Sequence, residues 1–254
     1  MSDHHFDARE LGLRIQAYLR AHALQRADHA RIGPFVAGFW AGDPNPYLNY
    51  AVPEDFAQPT RAEIDALAAA FRRRGCRTRL EYISDVAPAV EPALLAAGFV
   101  AENRFPLLAC LPAMHVTITA PDITIEVVTS DAGISEAIAV GAEANGTAVL
   151  PEPLRRMLGQ GGLLLLARSG GAAVGTGMAT PPQNGVVEVA GIGVRHAWRR
   201  RGIATALTSA ITQAALARGA ELAWLTPEQE TAEPAYQRAG FVRVTEQLHI
   251  SRAA

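Results

Sequence analysis

Two stretches of this chain repeat one another. Glu91-Pro-Ala-Leu-Leu-Ala-Ala-Gly-Phe-Val100 and Glu233-Pro-Ala-Tyr-Gln-Arg-Ala-Gly-Phe-Val242 agree at seven of ten positions. Upstream of each lies a helical pattern ending in glycine (Gly75, Gly219), then a strand carrying a leucine (Leu80, Leu225). The order helix, glycine, strand, helix, Gly-Phe, strand therefore occurs twice, as expected of a duplicated unit. A chain of 254 residues has room for two modest domains, which we place at residues 1–118 and 119–254, linked through Pro112–Pro121. Strands outnumber helices and mix near with distant neighbours, which predicts a mixed α+β sheet and not a Rossmann sheet. In the first half the patterning predicts a helix over Asp7–Arg26 and a hairpin of Phe35–Trp40 with Tyr47–Val52.

The stretch Glu188-Val-Ala-Gly-Ile-Gly-Val-Arg-His-Ala-Trp-Arg-Arg-Arg-Gly-Ile-Ala204 carries the chemistry. An apolar strand ends at Val194, an Arg-rich turn follows, and a helical pattern starts at once with Ala204, Leu207 and Ile211. Strand, turn and helix start together present several free N–H groups to one anion. Arg195, Arg199, Arg200 and Arg201 are expected to add positive charge around it. Gly202 allows φ > 0 and keeps a side chain out of the space a pyrophosphate would take.

Composition excludes other phosphate chemistries. The chain has no lysine, so neither a Walker loop nor a pyridoxal Schiff base is supported. No Gly-x-Ser-x-Gly elbow and no His-Glu-x-x-His occurs, and Cys76 and Cys110 have no metal spacing, so no metal is expected. They read as free core thiols of a reducing compartment. A net charge of −2 gives no global attraction to nucleic acid or to anionic membranes. The polar start of the chain predicts no secretory leader. The apolar run Leu163–Ala167 is too short to span a bilayer, and a cytoplasmic location is expected. Whether the protein is a monomer or a homodimer is left open.

Arg199-x-x-Gly202-x-Ala204 after a strand resembles the coenzyme A signature Gln/Arg-x-x-Gly-x-Gly/Ala of GNAT-type N-acetyltransferases. Glu233-Pro-Ala-Tyr236, with Gly240-Phe241, resembles that family's last helix and the start of its last strand. The resemblance implies a mixed, mostly antiparallel central sheet flanked by helices, in tandem. It implies acetyl-CoA as cosubstrate and a small-molecule or peptide amine as acceptor. Ile192, Gly193 and Val194 would pair with the pantetheine arm, with Gly191 and Gly193 suiting a bulge. Arg199 and the N–H groups of Arg200, Arg201, Gly202, Ile203, Ala204 and Thr205 would hold the pyrophosphate. Tyr236 would protonate the departing thiolate. Glu188 would serve as general base, with Glu228, Glu230 or water as alternatives. Strand alternation places Glu188, Ala190, Ile192 and Val194 on one side.

The two copies differ where this chemistry lies. Leu94 stands in place of Tyr236, and the acidic loop Glu54-Asp-Phe-Ala-Gln-Pro-Thr60 takes the place of the Arg-rich turn. The first half therefore reads as a degenerate, non-catalytic copy. Two other classes stay open: a regulatory module that binds acyl-CoA without turnover, and a structural protein that retains only the fold.

Overall fold

The computed structural model describes residues 7–40, 42–146, 150–227 and 232–253. The chain forms two compact units, Met1–Leu107 with Val244–Ala254, and Leu108–Arg243. In chain order, the first half contributes α1 (Ala8–Leu24), β1 (Asp28–Ile32), β2 (Phe35–Phe39), β3 (Tyr50–Pro53), α2 (Arg61–Arg72), β4 (Thr78–Ile83), α3 (Val90–Ala96) and β5 (Val100–Cys110). The second contributes β6 (Thr124–Val127), α4 (Asp131–Asn145), α5 (Pro151–Gly159), β7 (Leu163–Ser169), β8 (Ala172–Ala179), β9 (Val186–Val194), α6 (Ile203–Ala217), β10 (Leu222–Leu225), α7 (Glu233–Arg238) and β11 (Val242–Arg252). Among the described residues no helix is long and apolar enough to cross a membrane.

The two units follow the same strand order, the second with one more antiparallel strand at its start. In the first, β1, β2 and β3 run antiparallel in sequence order, β3 pairs with β4 in parallel, and β11 closes antiparallel on β4. In the second, β6 to β9 run antiparallel, β9 pairs with β10 in parallel, and Leu108–Cys110 of β5 closes antiparallel on β10. Each unit thus takes its closing strand from the other half of the sequence. β1 was not expected. It is short, with exposed and half-buried residues alternating, so no apolar run marks it.

Matching turns carry matching hydrogen bonds. The N–H groups of Gly75 and Gly219 each donate over 3.0 Å, to Arg72 O and Leu216 O. Those of Cys76 and Ala220 each donate over 3.1 Å, to Phe71 O and Ala215 O. Both glycines lie at positive φ, +66° and +93°, where a Cβ would be strained. Phe99 and Phe241 likewise donate to Leu94 O and Tyr236 O, over 3.1 and 3.2 Å.

Two apolar layers sandwich the second sheet. Leu165, Ala167, Val189 and Val194 pack under Leu207 and Ile211 of α6. Leu164 and Leu166, on the other face, pack with Ile134 and Ala137 of α4 and Leu154 of α5.

The first unit buries a charged cluster. Arg79, 1% exposed, donates from Nε to Glu102 over 2.8 Å, from Nη1 to Glu81, and from Nη2 to His249 Nδ1 over 2.8 Å. Accepting from Arg79 keeps the His249 ring neutral. Burial, then the Arg79 charge, holds its pKa down at about 4. The unfolded chain binds a proton below pH 6.5 that the folded unit refuses. Stability supplied here is therefore full above pH 6.5 and is lost as pH falls toward 4, by about 3 kcal/mol. Urea melts at pH 7.5 and 5 should show this loss, reduced in His249→Gln. An equal pH dependence in both proteins would refute the assignment.

Candidate cofactor cradle and transfer site

α6 begins without a side-chain cap. Its N-cap is Gly202 at φ +75°, and no side chain caps the helix start. The N–H groups of Ile203, Ala204 and Thr205 thus open the helix with no side-chain partner at the cap. Before them Arg200 holds φ +61°, a conformation rare for a residue with a side chain. A turn that alternates hand in this way gathers its N–H groups into a concavity for an anion. A Cβ at Gly202 would meet nothing within 4 Å, so the space over the turn is clear. These donors fit a diphosphate.

The arginines divide their work. Arg199 donates from Nε to Val194 O over 3.2 Å and from Nη2 to Ala144 O over 2.8 Å. Arg195 donates to Ala173 O over 2.8 Å and pairs with Glu143, and a His196 ring nitrogen lies 3.1 Å from Glu143 O. Two of the four charges expected around the anion are thus directed to the protein. They tether the last turn of α4, whose carbonyls lack helical donors and carry the negative end of the helix dipole. Gly193 permits that approach, since a Cβ there would stand 2.9 Å from Ala144 Cβ. Only the helical sequence Glu143-Ala144-Asn145 signalled this contact, and it carries no motif. Arg200 and Arg201 are exposed, and Arg201 stacks 4.6 Å over the half-buried Trp198.

β9 outruns its parallel neighbour. Leu222, Ala223 and Trp224 of β10 pair with Val186, Val187 and Glu188, while β9 continues to Val194. From Val189 onward the β10 side of β9 has no paired strand among the described residues. The other side pairs with β8, with Met178 opposite Ala190 and Thr176 opposite Gly193. One residue of β8, Gly177, therefore faces two of β9, a bulge with Gly191 at φ +62°. Gly191 supplies the bulge, and Gly193 serves the approach of α4.

The bulge corrects the expected alternation. Opposite residues of an antiparallel pair share a face, so Ala190 and Gly193 lie with Met178 and Thr176. Glu188 and Ala190 face α4 and α5, whereas Val194 joins Val189 in the layer under α6. Ile192 packs against that same α6 layer. Glu188 is half-buried, and its backbone is fixed by Thr180: the Glu188 N–H donates to Thr180 Oγ1 and the Thr180 N–H to Glu188 O, each over 2.9 Å. Tyr236 on α7 is half-buried against the α6 layer. Glu188 and Tyr236 thus lie on opposite faces of the sheet. Glu228 and Glu230 fall outside the described residues.

Residues 141–241 match the family model described as "Acetyltransferase (GNAT) family". They form a GNAT-family acetyltransferase domain. The match spans the uncapped α6, the bulged β9 and Tyr236. A solved GCN5-related N-acetyltransferase from Kribbella flavida is 27% identical to the chain, covers 96% of each chain and superposes with a TM-score of 0.83. One from Sphaerobacter thermophilus is 17% identical, covers 87% of this chain and 76% of its own, and gives 0.65. A tandem GNAT protein from the clavulanic acid biosynthesis pathway is 12% identical, covers 99% and 96%, and gives 0.64. The GNAT fold is thus present in tandem over the whole chain. Among curated proteins no sequence matches.

Proposed function

We propose that the protein transfers an acetyl or other short acyl group from coenzyme A to a primary amine by direct attack, using the second half alone. One observation carries the reading: an uncapped helix start at Gly202 lies next to a strand end that, among the described residues, has no partner on its β10 side. The cradle donors would hold the diphosphate, and the open side of β9 at Ile192–Val194 would receive the pantetheine arm. Acetyl-CoA supplies the acyl carbon and a thiolate leaving group.

The two faces of the sheet divide the proton work. Glu188 faces α4 and α5, so the amine is expected from that side, losing its proton to Glu188 directly or through water. Tyr236 belongs to the α6 side, where a phenol with a reference pKa of about 10 can donate to the departing thiolate. Nucleophile and leaving group would then lie on opposite faces. N–H groups near the bulge would stabilise the oxyanion, and orientation of the two substrates would supply much of the rate.

The first half is proposed to be non-catalytic. Its equivalent helix start is closed: Thr60 Oγ1 accepts from the Glu63 N–H, and Glu63 in turn accepts from the Thr60 N–H. That box occupies two of the donors an anion would need and adds a carboxylate.

Glu188→Gln and Tyr236→Phe should each lower kcat by about 10²-fold or more with little change in acetyl-CoA affinity. The assay is thiol release over a panel of amines. Unchanged kcat in both would remove these two residues from the mechanism, and absence of turnover in the wild type with cofactor bound would favour a sensor.

A further inference from the structure

A cavity lies at the other end of the same sheet. The cradle follows Val194 at one end of β9. At the opposite end, where Leu163 pairs with Ala179 and Ala179 with Val189, a cavity of about 330 Å³ opens between β7, α4 and the end of α6. The fifteen residues of α6 separate the two sites, about 22 Å of helix.

The cavity wall combines three chemistries. Val128, Ile134, Leu158 and Leu163 give an aliphatic surface. Arg218, which caps the end of α6, lines this cavity and a smaller one beside it that reaches Thr180 and Val187. Among the described residues no ion pair takes up its guanidinium. Asp131 stands on the same wall. Its side chain is 75% exposed and ion-paired with Arg155, whose Nε donates to one carboxylate oxygen over 2.8 Å; among the described residues no donor reaches the other oxygen.

We propose that this cavity binds a free aliphatic α-amino acid. The planar fork of Arg218 suits a carboxylate, Asp131 suits the ammonium, and the four aliphatic side chains take the side chain of the ligand. Opposite charges on one wall select a zwitterion over a simple anion or cation. The volume sits at the lower end of metabolite pockets and is far too small for coenzyme A. Because α6 joins this wall to the cradle, the amino acid is placed as an effector and not as the acyl acceptor.

The test is calorimetry on the full chain with L-leucine, 4-methylpentanoate and 3-methylbutylamine, the last two each lacking one charge. Leucine should bind, with each analogue weaker by about tenfold or more. Arg218→Ala and Asp131→Asn should each weaken leucine by a similar factor and leave acetyl-CoA affinity unchanged. Three results would overturn the site: no leucine binding up to about 10 mM, binding indifferent to Arg218→Ala, or an analogue that matches leucine. Formation of N-acetylleucine would also overturn it, by placing leucine at the transfer site. Acetyl-CoA titrated into the same sample reports separately on the cradle, so either reading can fail alone.

Discussion

Gly202→Asp is expected to abolish acetyl-CoA binding while the protein stays folded. The position is exposed and a Cβ there has no neighbour within 4 Å, so the substitution costs only the strain of φ +75°, about 1 kcal/mol, which Asp tolerates better than most residues. The carboxylate, by contrast, would stand among the N–H groups that open α6, satisfying them itself and repelling a diphosphate. A loss of at least about 100-fold in affinity, or about 2.7 kcal/mol, is expected. In a thermal melt the wild type should gain about 2.7 kcal/mol at 100 times its dissociation constant, and the variant at the same concentration no more than about 0.4 kcal/mol. Gly202→Ala shares the strain without the charge and should keep most of the binding. Equal cofactor shifts in the wild type and the Asp variant would disprove the cradle.

Removing residues 244–254 is expected to unfold the first unit. Six residues of β11, Gln247–Arg252, pair with Ile83–Thr78 of β4. Leu248 and Ile250 are fully buried, and His249 belongs to the Arg79 cluster. Losing the two aliphatic side chains alone removes about 3–6 kcal/mol, a large share of the 5–15 kcal/mol typical of a whole domain. Truncation also leaves Arg79 and Glu81 buried without one member of their network. Hydrogen exchange at Thr78–Ile83 should rise to the rate of unfolded chain, while Leu108–Arg243, a continuous segment, keeps its protection and its acetyl-CoA shift. Protection at β4 that survives the truncation would contradict the strand assignment.

Features fixed by local conformation were legible in the sequence. The repeat shows because its glycines must adopt positive φ at the same two turns, and the strand–turn–helix passage from Val194 to Ile203 shows because its parts are consecutive. The destination of the two closing strands was not legible. Each follows the same Gly-Phe-Val, so the local signal is identical and only distant partners decide which sheet each strand joins. Gly191 hinted at a bulge, but the face of every later residue depends on where the extra residue falls, and a shift of one moved Val194 away from Glu188. The tethering of α4 by Arg195, His196 and Arg199 was likewise invisible, since side chains meeting backbone carbonyls across more than fifty residues leave no pattern.

The exchange of closing strands also orders events during synthesis. The sheet of the first unit cannot close until Gln247–Arg252 have left the ribosome. At about 5–20 residues per second, the segment Leu108–Arg243 takes roughly 7–30 s to make, and through that interval β4 waits with an open edge. The cradle half, by contrast, has its closing strand from β5 already made before its other strands are. The half proposed to carry the chemistry can thus fold as it emerges, and the first unit finishes after it.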